Sequence, residues 1–304
     1  AKGLAHIGVL KTIDSLGVKI DYVAGTSVGA IIGGLYASGY SGNEIDSIFK
    51  HVNFDHLIND NIPRASKSFY ERDTAEKYAI SLPFNGFKVQ IPSAISKGQN
   101  IFNLLSKLMF HVGDVERFEN LPVPFFCIAT NIETGTQVIL ETGSLPQAIV
   151  ASSALPSLFQ PIYKDNMMLV DGGVVNNYPI RELKAKGMTR IIGVDVQDDL
   201  YERNKLNSAP DILLQISNFR TIDAMQDKSK LTDIYIKPNI KNYNVVSFQH
   251  GEKLIENGRL ASLKKENELS ELAKEQRNDN LDKISFNVPD SIKINNIVIN
   301  GKEY

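Results

Sequence analysis

Residues 18–39 constrain this chain more than any other stretch. Val18-Lys19-Ile20-Asp21-Tyr22-Val23-Ala24 is β-rich and ends in small residues; Gly25-Thr26-Ser27-Val28-Gly29 follows; residues 28–39 are apolar and carry no charge. A strand, a Gly-x-Ser-x-Gly turn and a buried helix are the setting of a nucleophile elbow. The turn is expected to be so tight that a Cβ at Gly25 or Gly29 meets the strand or the helix. The helix start then aims free N–H groups and the positive end of its dipole at the serine hydroxyl, which favours an oxyanion there. Alone, the pentapeptide is a weak signal: a glycine-rich strand–helix turn with a capping serine is written in the same letters.

A chain of 304 residues, 42% hydrophobic and 22% charged, can bury the core of one large α/β domain. The net charge of −2 offers no basic excess for nucleic acid. The single cysteine, Cys127, lies in an apolar run at 123–129 and reads as a core strand position. It excludes an internal disulfide and leaves the compartment open. No run of 18 apolar residues is present to span a membrane as a helix, and no signal-peptide pattern is seen. The sequence opens at Ala1 on a helical pattern, with no initiator Met and no first strand, and reads as part of a longer polypeptide.

In order, Leu4, Ile7, Leu10, Ile13 and Leu16 mark an amphipathic helix capped by Gly17. A strand at 19–24 and the elbow follow. Ser41 and Glu44 form a capping box for a helix running to about residue 52. Residues 78–82 and 87–91 predict a hairpin around Pro83-Phe84-Asn85-Gly86. The helix at 99–112 carries Ile101, Leu104, Leu105, Leu108 and Met109 on one face, either facing the core or contacting lipid beside an active site. Strands are expected at 122–129 and 136–140, and a helix at 144–151 leads into Ser152-Ser153-Ala154-Leu155-Pro156. A hairpin at 161–170 delivers Asp171-Gly172-Gly173. Pro179 opens a helix with Asn176 and Asn177 as cap candidates. A strand at 189–196, a helix at 209–225, a strand at 231–236 and one long charged helix at 251–276 complete the main body.

A serine hydroxyl is a poor nucleophile until a base takes its proton. Among His6, His51, His56, His111 and His250, only His250 follows the elbow at a distance suited to a Ser…Asp…His order. Its neighbours suggest a helix cap instead. Asp171 is the better candidate. It ends an apolar strand and precedes two glycines, as where backbone must come close to something. Burial there raises a carboxylate's pKa and makes it a stronger base. A turn with a capping Asp remains the plain alternative for these three residues.

Four motifs together carry a resemblance over most of residues 1–260. They are Ala1-Lys2-Gly3 with Leu4-Ala5-His6-Ile7-Gly8-Val9-Leu10; Gly25-Thr26-Ser27-Val28-Gly29-Ala30; Ser152-Ser153-Ala154-Leu155-Pro156 with Phe159 and Pro161; and Asp171-Gly172-Gly173 with Asn176-Asn177-Tyr178-Pro179. In this order and spacing the chain resembles the patatin-like phospholipases. The resemblance implies a three-layer α/β/α sandwich around a mainly parallel sheet. It implies a Ser27 nucleophile with Asp171 as proton acceptor and no histidine, acting on acyl esters of glycerophospholipids or lysophospholipids at a membrane surface, with no metal or organic cofactor. The family's glycine-rich oxyanion loop is matched only at its last two positions, Lys2 and Gly3. A lost oxyanion donor costs roughly 2.7–4 kcal/mol of transition-state stabilisation, so the chain as numbered is expected to turn over weakly without the preceding glycines.

The catalytic unit is expected to span 1–276. In 277–304 the alternating residues 294–304 look like the opening strand of a POTRA domain. Some bacterial patatin-like enzymes are fused to such a domain and an outer-membrane barrel, which implies a cell-envelope or surface location, with the cytoplasm as the alternative. An edge strand of the catalytic unit is the other reading of this tail. Two further functions stay open at this point: a non-catalytic binding or storage module, and an esterase whose triad uses His250. The sequence does not specify oligomeric state.

Overall fold

The computed structural model describes residues 1–58, 84–85, 88–89, 94, 96–197, 200, 203, 209–241, 243 and 247–277. A short 3-10 turn, Lys2–Leu4, leads into α1 (Ala5–Leu16), closed by Gly17 in the left-handed region at φ 73°. Strand β1 (Val23–Thr26) feeds α2 (Val28–Ala37). Helix α3 (Gly42–Lys50) starts on the expected capping box: Glu44 N–H donates to the Ser41 hydroxyl, and the Glu44 carboxylate accepts from Ser41 N–H. A cap of this kind stabilises a helix by about 1 kcal/mol.

Helix α4 (Phe54–Ile58) precedes a two-residue pairing of β2 (Phe84–Asn85) with β3 (Lys88–Val89). Phe84 and Asn85, expected in the turn, are therefore strand residues paired with Val89 and Lys88; residues 78–83, 86–87 and 90–91 lie outside the described residues. Helix α5 (Gln99–Leu108) ends in a 3-10 turn, Phe110–Val112.

Strand β4 (Phe125–Asn131), buried along its whole length, is the axis of the molecule. Strand β5 (Thr136–Leu140) runs antiparallel along one of its edges. Helix α6 (Leu145–Ser152) follows. Then β6 (Ile162–Lys164) and β7 (Met167–Asp171) form a hairpin whose turn residues Asp165 and Asn166 both hold positive φ, 51° and 58°. That conformation suits a two-residue turn matched to strand twist, and Asp and Asn tolerate it better than most side chains. Helix α7 (Ile180–Ala185) begins at Pro179. Asn176 and Asn177 do not cap it. Strand β8 (Ile192–Val194) pairs in parallel with β9 (Ile234–Ile236), separated in sequence by α8 (Ala209–Lys230).

The α/β expectation holds, but the sheet is mixed. In the five-stranded sheet β1 pairs with β4 in parallel, whereas β4–β5, β4–β7 and β6–β7 are antiparallel. The short turns between β4 and β5 and between β6 and β7 leave no room for a crossover, so those neighbours must run in opposite directions. Strand β1 also starts later than expected. Its ladder begins only at Val23↔Phe125, while the Lys19 backbone is held by the Gln276 side chain at 2.8 and 2.7 Å.

The long charged helix is two helices, α9 (Gly251–Leu263) and α10 (Glu266–Arg277). They break at Lys264 because they serve different cores. Leu254 and Ile255 join the main cluster with Ile7, Leu35, Leu105, Phe125 and Ile149. Leu269, Leu272 and Ala273 join a second cluster with Val9, Ile13, Ile234 and Ile236. Helix α1 lies between the two and contributes to both. Among the described residues no helix is long and apolar enough to cross a membrane.

Candidate active site

Strand register explains how residues 27 and 171 meet. Along β4, Cys127, Ile128 and Ala129 each pair with β5 on one edge. The other edge is shared end to end: β1 occupies it through Thr26↔Ile128, and β7 arrives from the opposite direction with Asp171↔Ala129. Two strands thus finish head to head on adjacent residues of a single buried strand. Ser27 is the next residue after one of them, and Asp171 is the last residue of the other.

The Ser27 hydroxyl donates to Asp171 Oδ2 at 2.5 Å. Ser27 holds φ 58° and ψ −128°, a conformation that L side chains rarely adopt. Strain of this kind costs about 1–3 kcal/mol and persists where surrounding structure enforces it. Here the enforcement is visible. Ser27 N–H donates to Ser152 Oγ at 3.2 Å, and Ser152, fully buried at the end of α6, donates to Ile128 O at 2.6 Å. Residue 28 begins α2; Ala30 and Ile31 N–H donate to Ser27 O at 2.9 and 3.2 Å, which leaves the Val28 and Gly29 amides as the first donors of the helix after the serine.

Asp171 is 3% exposed. Its Oδ1 accepts from Gly173 N–H at 2.7 Å, which leaves Oδ2 turned to Ser27. Its carbonyl accepts from Thr130 Oγ1 at 3.0 Å, and its N–H donates to Ala154 O at 2.9 Å. Burial pushes its carboxyl up from 3.8 to about 6, against the opposing pull of the Ser27 and Gly173 hydrogen bonds. The group is therefore ionised at neutral pH yet basic enough to take a proton.

The glycines divide by what surrounds them. A Cβ at Gly25 would lie 2.4 Å from Gly29 O, and one at Gly172 would lie 2.1 Å from Ile128 O. Both contacts are with backbone, so close approach requires glycine at both positions. At Gly173 the crowding is milder, 3.0 Å to Asp171 Oδ1. Gly29 corrects the expectation for the elbow: a Cβ there would meet only the His6 ring at 3.8 Å, an ordinary contact. Gly3 packs onto the elbow helix, where a Cβ would sit 2.6 Å from Val28 Cβ, and Lys2 is buried in the same turn. The matched end of the oxyanion loop thus lies against residue 28.

Ser27 and Asp171 open onto a cavity of about 210 Å³ with apolar walls that include Ile31, Leu35, Leu105 and Leu155. Ile101, Leu104 and Leu108 of α5 line it too. Only Leu105 of that helix is fully buried, so α5 is both core wall and cavity wall. Phe54 and Phe248, stacked at 4.3 Å, add an aromatic side. A second cavity, about 230 Å³, lies between β1 and β8; it is lined by Tyr22, Gly25, Gly193 and His6 and does not include Ser27 or Asp171.

No histidine stands between Ser27 and Asp171. His250 is the exposed N-cap of α9, edge-on to Tyr243 at 5.6 Å, which contradicts a triad built on it. His6 donates from Nδ1 to Gly3 O at 2.6 Å, and burial lowers its pKa. His111 contacts Ser38 O at 2.7 Å. Among the described residues no group of three metal-ligating side chains occurs.

Ser152 and Asn176 stand in the sequence motifs but without a role in the site, and Thr130 is not singled out by the sequence at all. For Ser152 a signal was present: a serine ending the apolar run Leu145-Pro146-Gln147-Ala148-Ile149-Val150-Ala151 needs a buried partner.

A hydroxyl on a strained strand–helix turn, bonded to a buried carboxylate beside an apolar cavity, defines a serine–aspartate site on an α/β frame. The model of the patatin-like phospholipase family matches residues 1–184, and the chain belongs to that family. Lysophospholipase NTE1 of Meyerozyma guilliermondii is 29% identical over 273 residues, which covers 82% of this chain and 17% of the fungal protein. Lysophospholipase NTE1 of Saccharomyces cerevisiae is 27% identical over 280 residues, covering 84% of this chain and 15% of that protein. The chain therefore spans about one-sixth of the length of these relatives. Among solved structures, VipD from Legionella pneumophila matches with a TM-score of 0.48 at 15% identity, over 88% of this chain and 65% of that one. The type III effector protein ExoU matches with a TM-score of 0.41 at 15% identity, over 90% and 51%.

Proposed function

We propose that this chain is a lipid acyl hydrolase that cleaves fatty-acyl esters of phospholipids or lysophospholipids through an acyl-enzyme on Ser27. The carrying observation is the 2.5 Å hydrogen bond from Ser27 to Asp171 at the wall of an apolar cavity. Asp171 takes the hydroxyl proton as Oγ attacks the ester carbonyl, and that proton leaves with the alcohol. Asp171 then deprotonates the water that releases the fatty acid. The Val28 and Gly29 amides at the start of α2 would donate to the developing oxyanion. The cavity suits an acyl chain, and the lysophospholipase names of the fungal relatives favour a lipid ester substrate.

Membrane contact is part of the proposal. Ile212, Ile216 and Phe219 stand exposed at spacings of four and three on α8, and Asn218 of the same helix lines the cavity. The POTRA-like reading of 294–304, and with it a bacterial envelope location, rests on the sequence pattern alone; the relatives named above are fungal.

A fluorophosphonate probe tests the reaction. The expected result is a single adduct on Ser27, lost in Ser27→Ala, with ester turnover falling at least ~10³-fold. A folded wild-type protein that takes no label favours the alternative of a binding or storage module with a retained fold.

A further inference from the structure

Asn176 is hydrogen-bonded to a sequence neighbour of each member of the dyad. Its N–H donates to Gly172 O at 2.8 Å, the residue after Asp171. Its carbonyl accepts from Thr26 Oγ1 at 3.0 Å, the residue before Ser27. These two hydrogen bonds join the segments that β1 and β7 deliver to β4, at the point where neither strand pairs with the other.

The Asn176 side chain is itself gripped. Lys228, buried in the last turn of α8, donates from Nζ to Asn176 Oδ1 at 2.6 Å. Asn176 Nδ2 donates to Gln137 Oε1 at 2.7 Å, and Gln137 Nε2 donates to Glu182 Oε1 at 2.8 Å. Tyr178 N–H adds a bond to Asn176 Oδ1 at 3.3 Å. A buried ammonium is costly to keep out of water unless it is held by good acceptors. Here that ammonium is directed at a residue with no catalytic atom of its own, whose backbone is bonded to both segments that carry the dyad.

We propose that Lys228 and Asn176 are positioning residues for the Ser27–Asp171 dyad, with Lys228 fixing the Asn176 side chain so that its backbone keeps the elbow and the Asp171 turn in register. The proposal rests on the acyl-hydrolase reading. A dyad with no intervening imidazole transfers its proton across one short hydrogen bond, so small displacements between the two segments matter. Misplacement on the 1 Å scale costs about 100-fold in rate.

The experiment compares wild type with Lys228→Met, Lys228→Arg, Asn176→Ala and the Lys228→Met/Asn176→Ala double variant. It reads the rate of Ser27 phosphonylation by a fluorophosphonate and kcat and KM on a short soluble p-nitrophenyl ester. The clamp predicts that Lys228→Met and Asn176→Ala each lower kcat and phosphonylation about 10- to 100-fold. It predicts KM within about twofold of wild type, as for an interaction that acts on the transition state. The double variant is no slower than the worse single one, and Lys228→Arg recovers most of the loss. Wild-type rates in folded Lys228→Met, or losses that multiply in the double variant, overturn it. Should Lys228→Met fail to fold, Asn176→Ala decides: a wild-type phosphonylation rate there overturns the clamp. Absence of label on wild-type Ser27 sinks the hydrolase reading instead, which keeps the two failures apart.

Discussion

Asp171→Asn is expected to give a protein that is more stable at pH 8 and roughly 10²- to 10⁴-fold slower. The stability gain follows from burial. The carboxyl titrates at about 6 in the fold against 3.8 outside it. Between those values the folded chain binds more protons than the unfolded one, so this group's contribution to stability falls as pH rises through 4 to 6. Above pH 6 the full cost is in place, about 3 kcal/mol at 1.36 kcal/mol per unit. Asparagine removes the charge and can satisfy the same neighbours, its Oδ1 accepting from Gly173 N–H and its Nδ2 donating to Ser27 Oγ. The rate falls because no base remains to take the serine proton, a loss of order 10²–10⁴ for general-base catalysis. Thermal melts at pH 4 and pH 8 check the first part: the variant should exceed wild type at pH 8 and approach it at pH 4. A variant less stable than wild type at pH 8 would show that the ionised carboxylate is not strained by burial.

Gly172→Ala is the second large effect. Its Cβ would lie 2.1 Å from Ile128 O and 3.0 Å from Thr26 Cγ2, with rigid backbone on one side and the elbow strand on the other. The Asp171 turn must then lift from β4, which breaks the register at Asp171↔Ala129 and parts the dyad. Overpacking against side chains costs about 1–3 kcal/mol. A backbone contact this close is expected at or above the top of that range, with turnover near background. Denaturant melts and ester hydrolysis measure the two losses. Gly29→Ala is the matched control, because its Cβ meets nothing closer than 3.8 Å.

What could be read in the sequence was local. The elbow, the Ser41–Glu44 box, the Gly17 cap and the Asp165-Asn166 turn each depend on residues within a few positions, and each lies where the letters place it. Strand direction could not be read that way. Whether β7 meets β4 in parallel or antiparallel depends on a pairing across some forty residues, and the antiparallel hairpins overrode the expectation of a mainly parallel sheet. The break at Lys264 was hidden for a similar reason: α9 and α10 share one charged pattern but pack on separate clusters. Within the site, Ser27 and Asp171 carry strong motifs, while Ser152, Thr130 and Asn176 each act through a side-chain-to-backbone hydrogen bond with a residue far away in sequence. Such hydrogen bonds leave no periodic trace in the chain.

The central claim is that Asp171, with no imidazole relay, activates Ser27. The most direct measurement is the pH dependence of Ser27 phosphonylation in wild type, His250→Ala and Asp171→Asn. The account predicts a rate that rises through one ionisation near pH 6 in wild type, the same profile in His250→Ala, and a slow, flat profile in Asp171→Asn. Loss of labelling in His250→Ala, or a wild-type rate in Asp171→Asn, would contradict it.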